Sequence, residues 1–186
     1  MAANNKANVS VAKGVIGGYF YIAPIGTTLP TDYTTALNSA FENVGYISDE
    51  GVTHAKSSST TDFTDMNADS IETAVNIDSR TVAATFVEMN EVALKARFGD
   101  SNVTVDSTTG AISWKDTNGE MPHVSIVEEL VLKGGRRWRR VIPDAKVTEW
   151  EDTTDVSTEL AGGGLTYTKY ADSTGAYEYD YLAPIE

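Results

Sequence analysis

The chain contains no cysteine, which excludes disulfide staples and thiolate metal sites and fits a protein made in a reducing compartment. Histidine is nearly absent as well. His54 and His123 each stand apart from any second metal ligand or nucleophile motif, so the sequence offers neither a catalytic triad nor a metal centre. There is no Gly-x-Ser-x-Gly elbow, and Gly162-Gly163-Gly164 lacks the Lys-Ser/Thr of a phosphate loop, leaving a hinge or turn as its reading. No apolar run is long enough to cross a bilayer, and the first ten residues lack the apolar centre of a signal peptide. Basic residues are scarce: 14 Lys and Arg face 27 Asp and Glu, for a net charge of −13. Such a surface repels nucleic acid and anionic membranes, which argues against DNA binding by phosphate neutralisation. These absences leave no demand for an enzyme and no cofactor.

What is present is organised around residues 81–99. Thr81-Val82-Ala83-Ala84-Thr85-Phe86-Val87 is β-branched and aromatic without Gly or Pro, which predicts a buried strand. A helix over about residues 90–98 follows at once. Asn90 is its N-cap, Glu91 complements the first turn, Lys95 and Arg97 sit near the negative end, and Gly99 ends it. Met89 and Leu94 are placed for a hydrophobic staple, while Leu94 and Phe98 share an apolar face.

The rest of the chain is rich in short extended segments. Residues 1–14 read as an N-terminal arm whose apolar positions, Val9 and Val11, suit an edge strand. Residues 17–23 form a first core strand stopped at Pro24, residues 37–41 a helical turn, and 44–47 with Val52 an extended pair. Residues 56–69 are Ser, Thr and Asp with Phe63 and Met66 as lone large apolar residues, which predicts a long mobile loop that orders against a partner. Ile71 to Ile77 is a strand, turned by Asp78-Ser79-Arg80 into the central one. Hairpins are expected around residues 106–110 and at Gly134-Gly135, an interruption at Pro143-Asp144, a break at Gly162-Gly163-Gly164, and a last turn at 172–175. About ten strands linked mostly by hairpins imply a mainly β protein: an antiparallel sandwich or barrel with one flanking helix, as a single domain over 15–186.

Two clusters bear on function. Asp65-x-Asn67-x-Asp69 opens like a calcium loop, but the sixth position is Ser70 and the twelfth Asn76 where Gly and Glu are required, so solvated acids are the better reading. Arg136-Arg137-Trp138-Arg139-Arg140 could grip phosphate or stack on bases. In a chain this rich in carboxylates, contact with another copy is the more economical use. The candidate interface residues are therefore Val9, Val11, Phe63, Met66, Arg136, Arg137, Trp138, Arg139 and Arg140.

Four blocks together resemble the major tail tube proteins of long-tailed bacteriophages: Ala23 to Asp32, Phe41 to Val52, Phe86 to Leu94, and Val141-Ile142-Pro143-Asp144-Ala145-Lys146-Val147. The Ser-rich segment after Val52 and the dense arginine run depart from the family pattern. The resemblance implies a β-sandwich that assembles into stacked hexameric rings, a hollow conduit through which DNA passes without specific binding. It also implies a place in the virion tail after assembly in the host cytoplasm, baseplate or tail-tip, tape-measure and tail-terminator partners, and no membrane. The competing expectation from the residues alone is a monomeric immunoglobulin-like adhesion or carbohydrate-binding module.

Overall fold

A computed structural model describes residues 4–158 and 160–185; residues 1–3 and 186, at the ends of the predicted arm and domain, and 159 lie outside the described residues. In chain order the strands are β1 (Lys13–Gly14), β2 (Phe20–Pro24), β3 (Glu42–Asn43), β4 (Ile47–Thr64), β5 (Ser70–Phe86), β6 (Val103–Val105), β7 (Ile112–Trp114), β8 (His123–Val131), β9 (Arg137–Trp150), β10 (Gly163–Tyr170) and β11 (Tyr179–Leu182). One α-helix, α1 (Glu91–Phe98), lies between β5 and β6.

β8 and β9 hold the centre because they are buried on both faces. Along β8, Ile126 turns to one cluster with Phe20, Phe86, Ile142, Leu165 and Tyr167, while Val127 turns to a second with Ala23, Phe41 and Val141. The ladders are antiparallel, in the order β3-β2-β8-β9-β10-β5-β4, with β1 also on β8 and β11 also on β9. The sheet curls so that distant strands meet across the core: the Phe20 ring of β2 lies edge-on to Phe86 of β5 at 5.6 Å between centroids. Such an aromatic pair contributes about 0.5–1.5 kcal/mol beyond its burial. No ladder joins β3 to β4 among the described residues, so the sheet is not closed into a barrel and the architecture is an antiparallel sandwich.

The helix begins as expected, the Asn90 side chain accepting from Ala93 N–H at 2.9 Å. Its amide also donates to the Val44 carbonyl at 2.9 Å, so the cap ties α1 to the β3–β4 connection. Gly99, at φ 88°, donates its N–H to Lys95 O. Ala93 and Leu94 are buried, Glu91 pairs with Lys95 at 2.6 Å, and Phe98 stacks on Trp114.

Four expectations need correction. Residues 56–69 are not a loop: β4 continues to Thr64 and pairs with β5 rung by rung from Ala55↔Thr81 to Thr64↔Ser70, leaving only 65–69 as a turn. Ser and Thr on both faces of this ribbon erase the alternation by which a half-buried strand is read. Asp78-Ser79-Arg80 likewise lies within β5, with the ladder shifting register between Ser57 and Ser58. Pro143 and Asp144 do not end a strand. The pairing steps from Val124↔Ala145 to Ile126↔Ile142, so two residues of β9 oppose Ser125 alone, and the Ser125 hydroxyl donates to the Pro143 carbonyl at 2.8 Å. A bulge tolerates the missing proline N–H. Gly163 and Gly164 are paired strand residues rather than a hinge; a side chain there would collide with Arg97 and Glu151. Residues 37–41 contribute only one turn, closed by Phe41 N–H to Asn38 O at 2.9 Å.

Candidate assembly surfaces

The outer half of the β4–β5 hairpin covers no core. Almost every position from 55 to 79 is exposed, on both faces. Val75 and Ile77 share one face, 61 % and 43 % exposed, opposite Thr60 and Ser58, whereas Phe63 lies on the other face opposite Glu72. At the tip, Asp65 accepts from the N–H groups of Asn67 at 2.8 Å and Asp69 at 2.9 Å. These bonds hold its carboxyl below the usual range. The Asp65 carboxylate that opens the calcium-like motif is thus engaged by the turn, and Met66 is left fully exposed at its crest. Ile71, Val75 and Ile77 escaped the sequence reading because a strand of that composition is ordinarily buried.

The arginine run divides by the alternation of a strand. Arg139 is 3 % exposed. Its Nε donates to Glu129 Oε1 at 2.7 Å, and one Nη donates to the carbonyls of Asp32 and Thr35, each at 2.7 Å. Asp32 is itself fixed by N–H and hydroxyl bonds from Thr35 and Thr34, which lower its pKa strongly. Arg139 therefore fastens the 25–41 connection over one face of the sheet and is no part of an outer surface. Arg140 turns to the opposite face, 3.1 Å from Asp180, 3.8 Å from Glu128 and 3.9 Å from Glu178, with its guanidinium over the Trp138 ring. Trp138 donates to Asp180 at 2.7 Å. Arg136 donates to the Ala183 carbonyl, and Arg137 alone of the five is exposed rather than buried or half-buried.

Val9 and Val11 lie beside this turn. Ser10 Oγ accepts from Lys133 N–H at 2.6 Å, and Lys13 pairs with Val131. The structure thus gathers Val9, Val11, Arg136 and Arg137 at one place, puts Phe63 and Met66 on the hairpin tip, and turns Trp138, Arg139 and Arg140 to partners within the subunit. Lys133 joins the first group; the sequence reading missed it because it stands outside the run.

Both histidines are held by carboxylates within the subunit. His54 Nε2 lies 3.0 Å from Glu128, and its Nδ1 accepts from Lys169 Nζ at 2.9 Å, an ammonium that also donates to Glu178 at 2.6 Å. Because an ammonium only donates, Nδ1 carries the lone pair and Nε2 the proton. His123 Nδ1 pairs with Asp144 at 2.6 Å beside Tyr170. No group of three or more His, Cys, Asp or Glu suited to a metal is found among the described residues, and no described helix is long and apolar enough to cross a membrane.

Comparison with curated proteins gives no match. A family model described as phage tail tube protein matches residues 1–184. With a sandwich scaffold, a ribbon that covers nothing of its own and an exposed basic turn, the chain belongs to the phage tail tube protein family, a structural component of the virion tail.

Proposed function

We propose that copies of this chain form hexameric rings that stack into the hollow tube of a long-tailed, siphovirus-type phage, the conduit for DNA delivery into the host. Residues 15–186 act as one tail-tube domain, with residues 1–14 as an arm. The observation that carries this reading is the β4–β5 ribbon: it is exposed on both faces, its outer edges have no strand partner among the described residues, and a two-stranded ribbon is marginal alone. Another copy that pairs with an edge or covers a face would supply the missing burial. A net charge of −13 suits a conduit that DNA traverses without binding. The tape-measure protein in the lumen and the baseplate or tail-tip and terminator at the two ends complete the set of partners, and neither cofactor nor membrane enters. Subunits awaiting incorporation would reside in the host cytoplasm.

The test is light scattering across a concentration series, followed by negative-stain microscopy. Rings and tubes that grow with concentration are the expected result. A species of one subunit's mass at every concentration would instead support the monomeric adhesion or carbohydrate-binding reading.

A further inference from the structure

Two oppositely charged features lack an ion-paired counter-charge among the described residues. Residues 57–79 carry Asp62, Asp65, Asp69, Glu72 and Asp78 and no Lys or Arg, and among the described residues none of these carboxylates has a cationic partner. At the β8–β9 turn, Lys133, Arg136 and Arg137 line a groove of about 430 Å³ whose remaining wall includes Tyr33, Pro184 and Ile185. Lys13 lies one strand away, across Val131. Among the described residues none of these four cations has an ion-paired carboxylate.

The register also places both features at one height. Thr81, Thr168 and Lys146 form a single rung across β5, β10 and β9. From that rung the hairpin and β9 run the same way. Asp69 lies twelve residues beyond Thr81 and Gly135 eleven beyond Lys146, the first path crossing two extra residues at its register shifts and the second crossing one. Net of those residues each path spans ten rungs, and at about 3.3 Å per rung both travel roughly 33 Å. A rotation about a ring axis presents one copy's tip to the next copy's groove at equal height and closes on itself. A head-to-tail stack instead faces the tip with the opposite end of a subunit.

We propose that the acidic hairpin tip of one copy seats in the basic groove of its lateral neighbour within a ring. Asp69 and Glu72 pair with Lys133 and Arg137, while Met66 lies against Tyr33 and Ile185. This rests on the self-assembly reading above, and supplies it with a specific contact. Fields of this kind steer encounter and fix register more than they add affinity.

The test is charge exchange. Asp69→Lys with Glu72→Lys in one variant, and Lys133→Glu with Arg137→Glu in another, should each stay folded by circular dichroism yet lower the assembled fraction at least tenfold. Mixing the two variants restores complementarity at every contact and should recover rings. Asp69→Cys with Arg137→Cys should cross-link, under oxidation, into a ladder that stops at the ring's copy number. Single variants that assemble like the parent, folded variants whose mixture stays dispersed, or an unbounded cross-linked ladder would each overturn the lateral contact alone. A parent chain that never assembles would overturn both this contact and the tube reading.

Discussion

Arg139 and Arg137 stand two positions apart on β9 and face the same way, yet one is sealed and the other open. Truncating Arg139 strands the buried carboxylate of Glu129 and frees the carbonyls of Asp32 and Thr35. Removing one partner of a buried pair costs about 3–5 kcal/mol. We therefore expect Arg139→Ala to shift the urea midpoint of the subunit sharply, and Arg139→Lys to rescue little, since an ammonium cannot reproduce the fork. Arg137→Ala should leave the unfolding free energy within about 0.5 kcal/mol of the parent, and the midpoint with it, as exposed substitutions do. Equal midpoints for the two alanine variants would show that the pair with Glu129 carries no stability. The division between neighbours within the run was open to sequence reasoning, because successive strand residues point to opposite faces. What separates Arg137 from Arg139 was not: the 25–41 connection that covers Arg139 contacts it from more than 100 residues away.

At the scale of elements, the helix was legible and the hairpin was not, for one physical reason. Capping signals act within a few residues, so Asn90, Glu91 and Gly99 mark α1 locally. A helix of eight residues is nonetheless too short to persist in water alone, and the Asn90 side chain supports it twice, through Ala93 N–H and through the Val44 carbonyl. Asn90→Ala should cost about 0.5–2 kcal/mol for the cap, with the lost bond to Val44 adding to it, and should lower the melting temperature of the free subunit. An unchanged melting temperature would mean that packing of Ala93 and Leu94 alone holds the helix. The outer half of the hairpin, by contrast, has no buried side among the described residues. Sequence periodicity detects one-sided burial, so a ribbon solvated on both faces resembles a loop until its partner strand is known. The threonines at 60, 61, 64 and 73 were the available signal, since β-branched residues favour extended backbone.

For the whole molecule, the separation between core and ribbon yields the last prediction. Every buried apolar residue of the main cluster on these two strands lies at or before Val52 in β4 or at or after Val82 in β5. The fold should therefore survive without the ribbon. Deleting residues 57–79 and joining Lys56 to Arg80, which already face each other across the ladder, through Asn-Gly preserves the register, because that dipeptide closes a two-residue hairpin. The trimmed chain should keep the parent's melting temperature, lose five carboxylates from its net charge, and remain a single subunit at concentrations where the parent forms rings. Assembly of the parent should also weaken between 0.05 and 0.5 M salt (roughly one to two Debye-length halvings) if charge guides the contact, while the trimmed chain's mass stays independent of salt. Rings from the trimmed chain would place the interface elsewhere on the sandwich. Loss of its melting transition would show instead that the ribbon stabilises the core, an outcome that burial confined to the hairpin's root argues against.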